Sequence, residues 1–157
     1  MKDSPIWIKA ATGVLDIVEC FFDNVYSNSL ICVYGPTGSG KTALLQRIEK
    51  TFGGEKVLRV GVESLTQDLV SALESGNKTK FLHKYLDKSC LLIDNLWLLK
   101  NRKSTATEII SMLAKRIRGG GLTILTSDIP QQEWNEKNIM IADLLASAQS
   151  ITLNPDV

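Results

Sequence analysis

Residues 35–42 read "GPTGSGKT", and this stretch decides the fold. It fits the pattern G-x-x-x-x-G-K-S/T, a loop that wraps a phosphate chain in backbone N–H groups. Gly35, Gly38 and Gly40 can take backbone angles closed to other residues, which lets N–H groups turn inward. Pro36, Thr37 and Ser39 complete the loop. Lys41 is placed to meet the β- and γ-phosphates of a nucleotide, and Thr42 offers a hydroxyl to Mg²⁺. A merely flexible glycine loop is the bland alternative. The flanks argue against it, because the loop follows a β-rich run and opens a helical one.

Working outward, "SLICVYG" (29–35) reads as a buried strand running into the loop, and "TALLQRIEKTF" as the helix leaving it. "KVLRVGV" is a second strand. Ser64 with Gln67 forms a capping box, predicting a helix over "LTQDLVSALESG" that Gly76 closes. "KTKFLHKYL" is a further short helix and "SCLLID" (89–94) a third buried strand. Thr105 with Glu108 forms a second capping box, opening a helix with basic residues and glycines at its end. "LTILTSD" (122–128) is a fourth strand, "ADLLASA" a helix and "SITL" a fifth strand. Upstream, Val14, Leu15, Val18, Phe21, Phe22 and Val25 recur at helical spacing within residues 10–26. Strands alternating with helices predict an α/β P-loop NTPase core, five parallel strands with helices on both faces.

The 157 residues suit one domain spanning 1–157. Hydrophobic residues are 44% and charged ones 22%, which argues against a disordered or membrane chain. A net charge of +1 announces no strongly charged partner, so nucleic-acid contact would need a local patch. Cys20, Cys32 and Cys90 form no C-x-x-C pair and read as small hydrophobes of a reducing compartment. The first residues lack the pattern of a signal peptide, and no stretch approaches the ~18 apolar residues of a membrane span. The expectation is a cytoplasmic protein with no membrane partner.

Two further strand ends carry chemistry. Asp94 leaves the core at the end of the third strand, where a carboxylate would join Thr42 in holding Mg²⁺. A turn-forming aspartate is the plainer reading, and the nearby phosphate loop weighs against it. Asn95 follows, where a hydrolase usually has a second acid. Asn95 can hydrogen-bond a water but cannot take its proton. Ser127 and Asp128 end the fourth strand, where polar groups can orient an attacking water. Asp94, Asn95 and Asp128 are thus the candidate catalytic set. His83 has no ligand-type neighbours at metal spacing and reads as a surface residue.

"VESLTQDLVSALESG", "FLHKY", "LLIDN" and "ILTSD" together resemble the ATPase domain of the bacterial replication initiator DnaA, within the AAA+ class. The most telling part is the helix pair of 64–86, which looks like the extra bent pair of the initiators. The closing "NPD" resembles the end of their core subdomain. The resemblance covers roughly residues 5–156 and implies ATP or ADP with Mg²⁺ as ligands. It implies replication proteins or DnaA-type AAA+ subunits as partners, and single-stranded DNA as a further one. The DNA path would pass Val70, then Arg102 and Thr105, with Lys100 and Lys103 beside them in "LLKNRKS". Val70 alone would pass for core packing, and the basic cluster alone for a solvated loop. Trp7 and Ile8, placed before the first helix, would stand where the family contacts adenine, or belong to the core.

The chain departs from the family pattern in three ways. Asn95 replaces the second acid. "DLLASAQS" holds no arginine where the family carries one that reaches a neighbouring subunit's ATP. The helical lid, which would follow Val157, is not in these residues, nor are the flanking DNA-reading and helicase-contacting domains. All three departures bear on hydrolysis. The expectation is a nucleotide-binding module of replication initiation or its regulation that hydrolyses ATP poorly or not at all. The alternative is an active AAA+ ATPase of the helicase-loader or transposition-helper type.

Overall fold

Residues 4–23, 29–99, 102–130, 133 and 143–153 are described in a computed structural model. The elements run α1 (Pro5–Phe22), β1 (Leu30–Tyr34), α2 (Lys41–Phe52), β2 (Val57–Gly61), α3 (Val62–Glu74), α4 (Lys78–Leu86), β3 (Cys90–Asp94), a 3₁₀ turn (Leu96–Leu99), α5 (Lys103–Arg118), β4 (Leu122–Ser127) and β5 (Gln149–Thr152). All strand pairs are parallel and the order is β2-β3-β4-β1-β5. The expected five-stranded α/β sheet is therefore present.

The strands β1, β3 and β4 are buried on both faces, which is why they read as unbroken apolar runs. Alternate residues face opposite cores. Leu30, Cys32, Leu91, Ile93 and Leu125 pack with α3, α4, α5 and the 3₁₀ turn. Ile31, Val33, Leu92 and Ile124 pack with α1 and α2. Each helical layer buries an apolar stripe, such as Leu44, Leu45 and Ile48 of α2 or Leu65 and Leu69 of α3.

The parallel register sets the strand ends side by side. Tyr34 pairs with Ser127, and Ile93 pairs with Leu125, so Asp94 emerges beside Thr126. The loop after β1 and the ends of β3 and β4 thus share one rim, where ligands bind in open parallel sheets.

Several expected boundaries are corrected. The first helix starts at Pro5, not near residue 10, and ends at Phe22. Ser4 caps it by accepting from the Trp7 N–H at 3.1 Å, and Pro5 occupies the first turn, where its missing N–H costs nothing. Trp7 and Ile8 therefore lie within the helix rather than before it. Neither capping box forms. α3 follows β2 without a loop and has Gly61 at its cap, because buried Val62 already belongs to its inward stripe. α5 has Arg102 at its cap, since the 3₁₀ turn hands the chain over through Arg102 N–H to Leu99 C=O, 3.0 Å. Ser64 and Thr105 thus sit inside first turns that no side chain caps. Val25, Ala142 and the "NPD" of 154–156 lie outside the described residues.

The α3–α4 pair is tied at Asp68, which accepts from the Tyr85 hydroxyl and from Lys84 Nζ at 2.7 Å. Burial opposes ionisation of Asp68, but these two hydrogen bonds and the Lys84 charge outweigh it and hold the carboxyl below its usual range. Lys78 reaches Glu108 of α5 at 2.7 Å. Among the described residues, no helix is long and apolar enough to cross a membrane.

Candidate nucleotide site

The loop after β1 holds its shape for three different local reasons. Gly38 and Gly40 have φ of +83° and +93°, the left-handed region that favours glycine. Gly35 is not among the positive-φ residues. It is needed for space, because a Cβ there would collide with Ser39 Oγ and the Leu153 carbonyl. Ser39 closes the loop, donating its N–H to the Pro36 carbonyl at 3.1 Å. No side chain caps α2, so its first N–H groups are available to an anion, aided by the helix dipole.

Lys41 is buried, at 7% exposure, and is held rather than free. Its Nζ donates to the carbonyls of Gly35 (2.6 Å) and Pro36 (2.9 Å) and lies 2.9 Å from Asp128 Oδ1. Asp128 also accepts from Thr37 Oγ1 at 3.4 Å. Asp128 is therefore brought to the loop as a counter-ion for Lys41. Ser127, grouped with it from sequence, turns away: it is fully buried and exchanges hydrogen bonds with the Ile129 backbone.

Thr42 Oγ1 donates to Asp94 Oδ2 at 2.6 Å. Thr126 Oγ1 donates to Asp94 Oδ1 at 2.6 Å and accepts from the Asn95 N–H at 2.8 Å. A hydroxyl and a carboxylate side by side are the hard oxygen donors that Mg²⁺ prefers, so these residues fit the ion. Thr126 was not singled out from the sequence. Within "LTILTS" it reads as one more strand residue, and only the β3–β4 register sets it against Asp94.

Asn95 is the one non-glycine residue with positive φ among those described, at +66°. Asparagine tolerates this conformation better than most side chains do. That supplies a backbone reason for asparagine after Asp94, beside its place in the chemistry. Its buried Oδ1 finds no hydrogen-bond partner among the described residues, and its residue lines the open cleft with Thr37, Gly38, Lys41, Thr42, Asp94 and Asp128.

The residues expected to meet DNA are only partly assembled. Val70 is 43% exposed on α3, with Leu73 nearby at 51%, so Val70 is not core. Arg102 and Lys103 are exposed at the start of α5, on the same face of the sheet as α3, and Thr105 is half-buried. Lys100 lies outside the described residues. Trp7 is core, at 2% exposure, whereas Ile8 is 48% exposed. His83 is a surface residue, its imidazole 3.4 Å from Asp87. Cys32 and Cys90 are buried and Cys20 half-buried, all three as thiols; burial pushes the Cys32 and Cys90 thiols up to about 12.

The chain is 36% identical over 102 residues to the chromosomal replication initiator protein DnaA of Campylobacter jejuni strain 81-176, an alignment covering 64% of this chain and 23% of that protein. Its fold is similar to domain III of DnaA from Thermotoga maritima, with a TM-score of 0.82 and 23% identity over 99% of this chain and 65% of that one. It is also similar to a replication initiator DnaA bound to AMPPCP and single-stranded DNA, with a TM-score of 0.76 and 20% identity, covering 98% and 47% of the two chains. This chain thus spans about a quarter of the length of the full-length initiator it matches. The bacterial DnaA ATPase domain family matches residues 10–147, and the chain belongs to that family.

Proposed function

We propose that this chain is an ATP- or ADP-binding core that serves chromosomal replication initiation or its regulation in the cytoplasm, and that it hydrolyses ATP poorly or not at all. The observation that carries the reading is the set Lys41, Thr42, Asp94 and Thr126 on one rim, with Thr42 and Thr126 each donating to Asp94 at 2.6 Å. Gly35–Thr42 would wrap the phosphates, and Lys41 would exchange its carbonyl partners for phosphate oxygens while Asp128 keeps it in place. Thr42 and Asp94 would hold Mg²⁺, with Thr126 keeping the carboxylate turned toward it. When bound, Mg²⁺ supplies charge neutralisation between the terminal phosphates. The DnaA relative bound to AMPPCP supports the nucleotide as ligand. Calorimetric titration with Mg·ATP and Mg·ADP tests this; heats equal to buffer dilution for both would overturn it.

Poor hydrolysis follows from two departures. Asn95 cannot serve as a base, and "DLLASAQS" (143–150) supplies no arginine to a neighbouring site. Asn95→Asp is therefore expected to stay at background phosphate release in a steady-state assay. A restored acid is worth about 10² to 10⁴ in a complete site, but an arginine finger is worth about 10³ to 10⁵, and the two act as a unit. Robust turnover by the isolated Asn95→Asp protein would overturn this part and favour the active-ATPase alternative.

Replication proteins or DnaA-type AAA+ subunits are the proposed partners, with single-stranded DNA as a weak one. Exposed Val70, Arg102 and Lys103 support DNA contact, as does the DNA-bound relative. Arg102→Ala/Lys103→Ala is expected to weaken oligonucleotide binding and reduce the salt slope by about 1.4, two phosphates at ~0.7 each. An unchanged slope in fluorescence anisotropy would remove these residues from the interface.

A further inference from the structure

We propose that Trp7 is a positioning residue for the phosphate loop, acting through the Gly40 carbonyl and not by stacking on a nucleotide base. The inference rests on the nucleotide-binding reading above and deepens it, by assigning how α1 sets one of the loop's phosphate donors.

The sequence places the indole firmly. Ser4 and Pro5 define the start of α1, which puts Trp7 in its first turn. Its Nε1–H donates to the Gly40 carbonyl at 3.1 Å, across 33 residues of chain. The Arg47 guanidinium carbon lies 5.9 Å from the ring centroid. At 2% exposure the indole is enclosed, with no open face for a base to stack on.

The partner is equally constrained. Gly40 has φ +93°, and a Cβ there would collide with Trp7 Nε1 and lie 2.7 Å from its Cδ1. Glycine is thus required twice at this position, for its backbone angle and for the approach of the indole. The Gly40 carbonyl also accepts from the Leu44 N–H at 3.0 Å, the first hydrogen bond of α2. Both lone pairs of that oxygen are then used. In a planar trans peptide the N–H points opposite to the C=O. Fixing the Gly40 carbonyl from two sides therefore fixes the direction of the Lys41 N–H, one of the open donors at the start of α2. Trp7 prepays the ordering of that peptide, so a bound phosphate does not have to.

The test compares Mg·ATP with Mg·tripolyphosphate, which has phosphates and no base. Dissociation constants are measured for the wild type, for Trp7→Phe, and for a protein whose Trp7 indole is replaced by benzothiophene. Benzothiophene keeps the shape and removes only the N–H. Both variants are expected to lose the same factor for both ligands, about 3- to 10-fold, the equivalent of one hydrogen bond of roughly 1 kcal/mol. The benzothiophene protein is expected to unfold near the wild-type temperature. Loss toward ATP alone would assign Trp7 to the base and overturn the inference. Wild-type affinity in the benzothiophene protein would do the same, reducing Trp7 to packing. Wild-type protein that binds neither ligand would overturn the nucleotide reading itself; variants that match a ligand-binding wild type would overturn only the role of Trp7.

Discussion

Arg116→Met is expected to cost about 3–5 kcal/mol of folding stability and to lower the thermal midpoint by roughly 10 °C, as read by circular dichroism. Arg116 is 2% exposed at the end of α5 and, among the described residues, forms no ion pair with a carboxylate. Its guanidinium donates to Thr123 Oγ1 (2.9 Å) and to the carbonyls of Tyr85 (2.8 Å), Lys88 (2.7 Å), Ser89 (3.5 Å) and Leu122 (2.8 Å). One side chain thus satisfies the end of α4, the entry to β3 and the start of β4. Burial pushes its pKa down to about 10, which leaves it charged at neutral pH. Methionine fills similar length but takes the guanidinium donor away from those carbonyls, and a buried acceptor left unpaired costs about 1–3 kcal/mol; the Ser89 carbonyl keeps a second donor, the Leu122 N–H at 2.9 Å. Gly121 belongs to the same arrangement, because a Cβ there would come within 2.8 Å of the guanidinium. Arg116→Lys is expected to recover little, since an ammonium lacks the planar fork that spans several acceptors. A midpoint within about 2 °C of wild type for Arg116→Met would refute this account.

Lys41→Ala is expected to reduce Mg·ATP and Mg·ADP affinity by at least about 100-fold, in effect beyond calorimetric detection. A charged hydrogen bond to phosphate is worth about 1.5–3 kcal/mol, which alone gives roughly 10- to 150-fold. A second penalty adds to it. Asp128 Oδ1 lies 2.9 Å from Lys41 Nζ, so removing the ammonium leaves a carboxylate facing the incoming phosphates with its counter-ion gone. Combining Lys41→Ala with Asp128→Asn is therefore expected to recover part of the loss. The thermal midpoint of Lys41→Ala reports separately on the contacts to Gly35 and Pro36. Binding of either nucleotide by Lys41→Ala at wild-type affinity would refute the site.

The phosphate loop was readable from eight consecutive residues because its function is local: the same few peptides supply the glycine angles, the donors and the cation. The buried strands were readable because a strand covered on both faces must be apolar throughout. The capping boxes misled for a related reason. They are local signals, and at α3 and α5 the packing of Val62 and the handover from the 3₁₀ turn set the start of the helix instead.

The succession of strands and helices along the chain, the phosphate loop with Lys41 and Thr42, and the position of Asp94 at a strand end were all legible in the residues alone. Each of these depends on neighbours within a few residues. The tertiary structure alone decided that Thr126 holds Asp94 and Asn95, that Asp128 pairs with Lys41, that Trp7 grips Gly40 and that Arg116 binds three segments at once. All of these pairs except Arg116 with Leu122 and Thr123 join segments about 30 or more residues apart, brought together by parallel strand register and by helices crossing the sheet. A single side chain in a strand or helix carries no mark of which distant backbone it will meet, so these contacts became visible only once the sheet had set its order.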